Sequence, residues 1–362
     1  MRIGIDYHPA VTHAPGVGRY SRELVRALVR LDEAPEVLLA DVGRDAPTIG
    51  EPALGLADAP RKPKLVTSRQ GRKLFGLMRR TADGLLGGVD VFHRMLPDWP
   101  PVGKAREVIG VAELPAPGSP ADAMLRETLA RADAIAFSAD TARELRERFG
   151  LPDEHVHQVP VGCDHWCRDL AGETPEPKSP PQIVVLGSIH PRRRPEMVLR
   201  AVETLKRRRT KCQALYVGGR TDNSDAFLRD KLGGSTAREW VLWNPNASES
   251  DMARILATSS VLVHLSEAEA TAVTPLEGLA FGLSVVASRL PAFEEALDGQ
   301  ATLLEPEVEE DPDAFADVLD AAMAAATDAE ARAARREVAA RHTWAANAAA
   351  TVEVYRRIAA RP

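Results

Sequence analysis

Short, continuous apolar runs alternate with amphipathic helical segments along this chain, and that rhythm decides the fold class before any single residue is considered. Strand-like runs fall at Ile3–Asp6, Val37–Ala40, Val89–Phe92, Val108–Val111, Ala134–Phe137 and Val156–Val159, with helix-period stretches such as Val17–Leu31 and Thr141–Phe149 between them. A strand buried on both faces reads as an unbroken apolar run, so this alternation predicts a parallel sheet covered by helices on both sides. The stretch AGETPEPKSPPQ at Ala171–Gln182 breaks the pattern, because proline at that density continues neither a helix nor a central strand. The alternation then restarts with Ile183–Leu186, the helix Pro195–Arg207, and the runs Ala214–Val217, Val241–Trp243 and Val261–Leu265. The chain therefore reads as α/β, with two doubly wound Rossmann-like domains facing a cleft. The first spans residues 1–168, a linker 169–181, the second domain 182–342, and a last helical segment 343–362, in which Trp344, Val352, Tyr355 and Ile358 recur at helical spacing. At 362 residues, two domains also fit the usual domain size.

Charge narrows the partners. With 46 basic and 52 acidic side chains the net charge is −6, whereas a protein gripping a polyanionic nucleic acid carries a basic excess. Cys163, Cys167 and Cys212 are too few for a disulfide framework, which suggests a reducing compartment. The opening MRIGIDYHPA places Asp6 inside its apolar stretch, unlike a secretory signal, and no run approaches 18 apolar residues. The expected location is the cytoplasm, with at most peripheral membrane contact.

In doubly wound domains ligands bind beyond the carboxyl ends of the strands, so the loops there hold the candidate chemistry. After the first strand, Gly16 and Gly18 open a helix, where side-chain-free backbone can approach a phosphate; a tight turn explains them equally well. In VVLGSIHPRRRPEM, Arg192, Arg193 and Arg194 stand just before a helix, and guanidinium groups grip phosphate oxygens bidentately without losing charge. In SEAEATAVTPLEGLAFGLSVVAS, seven residues separate Glu269 from Glu277, and Thr274-Pro275-Leu276-Glu277 has the form of a capping box with proline at the first helical position. A helix starting there turns the amides of Val273 and Thr274 toward a phosphate, and lets a glutamate in the first turn accept hydrogen bonds from ribose.

These segments together resemble family 4 retaining glycosyltransferases of the GT-B fold. Glu269 and Glu277 match that family's Glu, seven residues, Glu motif; GVGRYSREL resembles its glycine loop, and GSIHPRRRP its basic loop, with Arg193 where lysine is usual. HTWAANAAATVEVYRRI resembles the C-terminal helix that crosses back onto the first domain. The resemblance implies an enzyme moving a sugar from a nucleotide-diphosphate donor to an acceptor hydroxyl with retention, needing neither metal nor further cofactor. In that role Arg192 and Arg193 hold the diphosphate, Glu269 the donor sugar and Glu277 the ribose, with Gly16, Gly18, Val273 and Thr274 as further donor contacts. The acceptor, whether small molecule, glycan or lipid-linked sugar, is not readable. Two other readings stay open, a nucleotide-sugar epimerase and a binding scaffold without turnover.

The chain departs from the family pattern where a His-Asp pair is usual, carrying Ala112 and Glu113 instead. In relatives that histidine meets the C6 oxygen of the transferred sugar. Val161-Gly162 replaces Asn-Gly, and Ala-Thr-Ala follows Glu269 in place of Gly-Phe-Gly. His93, after the run VDVF, reads equally as a buried core histidine or as a sugar or acceptor contact. Cys163, His165 and Cys167 crowd one turn and lack the second pair a structural zinc needs. Asp311 and Asp313 read as a helix cap. The basic segment from Arg69 to Leu86 reads as one amphipathic helix, its Leu74, Phe75, Leu77, Met78 and Leu85 forming a core stripe under a solvated face. The alternative is a face lying on anionic lipid or holding an acidic acceptor.

Overall fold

The computed structural model describes residues 1–12, 16–48, 54–70, 72–167 and 177–361. The chain divides into two compact units, one of residues 1–162 and 344–362, the other of residues 163–343. Cys163, Asp164, His165 and Trp166, expected in the first domain, thus pack with the second. Most of the expected linker, residues 169–176, lies outside the described residues, as does Gly71.

The first unit is built on seven strands: β1 (Arg2–Asp6), β2 (Glu36–Val42), β3 (Lys64–Ser68), β4 (Val91–Arg94), β5 (Arg106–Val111), β6 (Ala132–Ala136) and β7 (Val156–Gln158). All pair in parallel in the order β3-β2-β1-β4-β5-β6-β7, with Ile5 opposite Leu39 on one side and His93 on the other. Six of these strands coincide with apolar runs in the sequence. β3, KLVTS, does not, because an edge strand is half solvated and needs no continuous apolar run. The helix Val17–Leu28 starts at Gly16, whose φ of 59° and ψ of −129° suit glycine and strain other residues. The C-terminal helix Trp344–Ala359 packs against Val17–Leu28, and Tyr355 hydrogen-bonds the ring of His93.

The expected helix Arg69–Leu86 does not form. It is two short helices, Arg72–Leu77 and Ala82–Leu85, parted where Arg79 takes a φ of 48°. Of its apolar stripe Phe75 is fully buried, whereas Leu74, Leu77 and Met78 are exposed.

The second unit is built on β8 (Gln182–Leu186), β9 (Gln213–Val217), β10 (Val241–Asn244), β11 (Val261–His264), β12 (Ser284–Ser288) and β13 (Ala301–Leu304), parallel in the order β10-β9-β8-β11-β12-β13. Successive side chains leave a strand on opposite faces, so Ile183, Val261 and Val263 enter one core layer, and Val184, Leu262 and Val285 the other. Each layer is roofed by amphipathic helices, among them Pro195–Arg207, whose bounds match the sequence expectation. In this strand order the connection reverses direction between β8 and β11, and the crevice beyond their carboxyl ends is where such sheets take ligands.

Candidate functional site

Beyond β8 the chain turns at Gly187, which has a φ of 107° and donates its N–H to the Val217 carbonyl at 2.8 Å. The loop after β9 runs against it so closely that a Cβ on Gly218 would lie 2.1 Å from the Gly187 oxygen. Only glycine admits that backbone-to-backbone approach. A 3-10 turn over Pro191–Arg193 follows, where the Arg192 N–H donates to His190 Nδ1 at 3.2 Å. Arg194 is left-handed, with a φ of 44°, and stands at the N-cap of Pro195–Arg207.

The three arginines therefore diverge. Arg194 points to Glu309, a nearly buried carboxylate 2.8 Å away. The Arg193 guanidinium reaches the ring of His264 at 3.2 Å and 3.3 Å, and Glu269 Oε1 at 3.4 Å. Arg192 is half-buried, and its carbonyl accepts the Glu267 N–H at 3.1 Å, tying the loop after β8 to the loop after β11. That second loop is pinned again where the Ser266 N–H donates to Ser288 Oγ at 2.9 Å.

Arg193, His264 and Glu269 thus form one cluster at the point where the connection reverses, with His264 Nε2 3.6 Å from Glu269 Oε1. Burial works to raise the Glu269 carboxyl. The proximity of His264 and the Arg193 charge overcome it and hold the group down at about 2. His264 is lowered, first by burial and further by the Arg193 charge, against the opposing pull of Glu269. Its imidazole is neutral near neutral pH, while arginine and glutamate carry the charges. A cation and an anion side by side suit a substrate bearing phosphate oxygens beside hydroxyl groups. Sequence reasoning passed over His264; its signal was a histidine closing an otherwise apolar strand.

The helix after this loop begins at Val273, with Ala272 as its N-cap and no side-chain cap. The expected capping box is therefore absent. Thr274 is the second helical residue and Pro275 the third, a position where the missing N–H costs nothing because first-turn amides have no intrahelical acceptor. Val273 donates weakly to Thr271 Oγ1 at 3.4 Å. Glu277 lies fully buried with its Oε1 3.1 Å from Nε2 of His165, itself buried. The His165 ring lies 4.6 Å from that of Trp166, whose indole N–H donates to Glu249. The Cys-x-His-x-Cys segment set aside as a zinc site is thus the support beneath Glu277. Cys163 is buried, its thiol pushed up by burial, and it lies 3.4 Å from the His342 carbonyl. Among the described residues no group of three His, Cys, Asp or Glu is disposed to hold a metal. Asp311 caps Pro312–Ala325, accepting from the N–H groups of Asp313 at 2.9 Å and Ala314 at 3.2 Å.

The remaining candidates belong to the first unit. Gly16 is exposed at the start of Val17–Leu28, and Gly18 is buried in that helix's first turn. Ala112 is half-buried and Glu113 exposed on the loop after β5. His93 is fully buried, its Nδ1 2.6 Å from the Tyr355 hydroxyl, and burial pushes it down to about 3. Asp6, at the carboxyl end of β1, is a titratable group the sequence did not single out. It accepts the His8 N–H at 3.3 Å, and burial pushes its carboxyl up to about 7.

Comparison with known proteins places these observations. Residues 180–325 match the family model described as "Glycosyl transferases group 1". No curated protein sequence matches the chain. Among solved structures, a sucrose-phosphate synthase from Thermosynechococcus elongatus superposes with a TM-score of 0.73 at 17% identity, covering 98% of both chains. A glycosyltransferase from Rickettsia africae gives 0.72 at 15% identity, covering 100% of this chain and 99% of that one. WaaG, a glycosyltransferase involved in lipopolysaccharide biosynthesis, gives 0.67 at 14% identity over 97% and 99%. At such identities the likeness is one of fold. The two α/β units share the fold of these glycosyltransferase structures, and the match to the glycosyl transferases group 1 model is confined to residues 180–325.

Proposed function

We propose that this protein is a retaining glycosyltransferase that moves a sugar from a nucleotide-diphosphate donor to an acceptor hydroxyl without a metal ion. The observation that carries the reading is the Arg193–His264–Glu269 cluster at the switch point of the second sheet. Arg193 meets the diphosphate, and Glu269, held ionised, accepts hydrogen bonds from the hydroxyls of the donor sugar. Arg192, on the same turn, adds a second cation. The amides of Val273 and Thr274, at a helix start, offer donors to phosphate oxygen. Glu277 is the ribose acceptor, and its carboxylate is set by His165.

In the reaction the bond from the anomeric carbon to the diphosphate oxygen breaks, and its electron pair leaves with the diphosphate. The acceptor oxygen bonds to the same carbon on the same face, and its proton passes to a diphosphate oxygen. The protein forms no covalent bond in this scheme. Its work is to position the partners and to oppose charge growing on the leaving group, which two arginines and helix amides do without a Lewis acid.

The test is incubation with a panel of nucleotide sugars, with EDTA present, following slow donor hydrolysis. Release of free sugar and nucleotide from one donor supports the transferase. Release of an isomerised sugar would instead indicate an epimerase, and tight binding without turnover a scaffold. Activity lost in EDTA and restored by Mg²⁺ or Mn²⁺ would overturn the metal-free scheme.

A further inference from the structure

The first unit exposes a surface that its own core does not explain. Between Arg61 and Arg80 the chain carries eight Lys or Arg and no Asp or Glu, in a protein whose net charge is −6. The same segment holds Leu65, Leu74, Leu77 and Met78, which are 43%, 47%, 81% and 46% exposed. A stripe of helical apolar residues ordinarily faces a core. Here only Phe75 does so, fully buried with its ring 5.1 Å from that of Trp99, and it anchors the helix Arg72–Leu77 with its neighbours turned outward.

Not every cation in the segment is available. Arg69 is spent on Asp41, with contacts of 2.8 Å and 2.5 Å, and Arg61 donates to the carbonyls of Leu31 and Asp32. Arg72 pairs with Asp98 at 2.5 Å yet remains 65% exposed. Lys73 is exposed beside Leu74, and Arg79 and Arg80 follow Met78 directly. Lys64 begins β3, the edge strand of the sheet, next to Leu65.

We propose that this surface, from Lys64 through Arg80, docks the first unit onto a bilayer carrying anionic lipid. The exposed leucines and Met78 enter the boundary between headgroups and acyl chains, while the surrounding Lys and Arg meet lipid phosphates. Two signals on one patch are what reversible membrane binding needs, because neither a few apolar side chains nor a few charges hold alone. Each basic residue near such a surface strengthens binding by about fivefold, and salt screens that part. Charge alone would equally attract a nucleic acid. The apolar residues are what favour the bilayer, since a leucine 81% exposed gains nothing from a phosphate backbone. No helix among the described residues is long and apolar enough to cross a membrane.

Co-sedimentation of the full chain with vesicles tests this. The expected result is binding to phosphatidylcholine vesicles containing phosphatidylglycerol, weakened by salt, and none to phosphatidylcholine alone. Leu77→Glu is expected to lower the vesicle affinity at least tenfold with an unchanged melting temperature, because the side chain touches little of the protein. Lys73→Glu with Arg79→Glu is expected to remove the salt-sensitive part. Absence of binding to the anionic vesicles would overturn the proposal. So would Leu77→Glu binding them as well as the parent, or single-stranded poly(U) binding the parent and Leu77→Glu equally while vesicles bind neither.

Discussion

Removing the Arg193 side chain tests the centre of the proposed site most directly. Its guanidinium stands 3.4 Å from Glu269 Oε1, with the two side chains 25% and 17% exposed. At an effective dielectric of about 20, that separation is worth ~5 kcal/mol before desolvation is subtracted. Breaking a well-buried pair costs ~3–5 kcal/mol, and partial exposure puts this one near the lower figure, ~3 kcal/mol. If the same charge opposes the growing charge on a leaving diphosphate, Arg193→Ala lowers kcat by about a hundredfold at saturating donor. A second consequence concerns pH. With Arg193 present Glu269 is held at about 2, against an ordinary value of 4.5, so its ionised form contributes stability that is present above pH 4.5 and lost as pH falls through about 2. Without Arg193, burial remains and one compensating charge is gone, so the carboxyl rises. The acid limb of the kcat–pH profile should therefore move upward in the variant, and the acid side of its thermal-stability curve with it. The assay is donor hydrolysis or transfer followed across pH at saturating donor, alongside melting curves. An unchanged kcat with an unmoved acid limb would refute the reasoning and leave Arg193 a structural residue.

Three further outcomes are expected. His165→Ala should weaken binding of whichever of UDP, GDP or ADP the protein holds by about tenfold, because the buried Glu277 loses the partner 3.1 Å away; isothermal titration reads the affinity, and His165→Gln should recover part of it. Gly218→Ala should destabilise the second unit by ~3 kcal/mol or more, since the new methyl meets a backbone oxygen 2.1 Å away, and calorimetry would show it as a lowered transition. Ala112 offers only a methyl group where the resembling family carries a histidine for the C6 oxygen, so competition between donors should favour a 6-deoxyhexose or pentose over its hydroxylated parent by ~1–3 kcal/mol; a preference for the parent would reverse that expectation.

The strands were legible because a parallel sheet covered on both faces leaves a plain mark, an apolar run such as IVVL at 183–186 or VLVH at 261–264. β3 escaped because an edge strand carries lysine and threonine at no cost, and β12 and β13 were not among the runs read in the second half. The segment after it misled for the opposite reason. Its apolar residues have helical spacing, yet Arg79 in the left-handed region ends the helix, and what looked like a core stripe faces outward. Arg193 and Glu269 were found from local motifs, and the structure brings them together. His264 and His165 were not, since what makes them notable is a partner distant in sequence. The pairing of His165 with Glu277 follows from how the chain re-enters the second unit, and no spacing rule announces it. The capping box failed by two residues: the pattern fitted Thr274 as the N-cap, but the N-cap is Ala272 and the helix begins at Val273.

The discontinuity of the first unit has a consequence for how the protein comes into being. A ribosome delivers the chain from its N-terminus, so a nascent protein that has reached Thr343 holds every residue of the second unit, while the first still lacks Trp344–Ala359. Until that helix emerges, His93 waits without the Tyr355 hydroxyl, and the Val17–Leu28 helix without the apolar face that packs on it. The unit begun first is completed last. Premature termination between residues 163 and 343 would therefore leave a first unit with an open seam, the kind of apolar surface that chaperones hold and proteases cut. Supplying residues 344–362 as a separate peptide to a chain ending at Thr343 would close that seam in trans, which makes the last helix a natural place to split the protein in two.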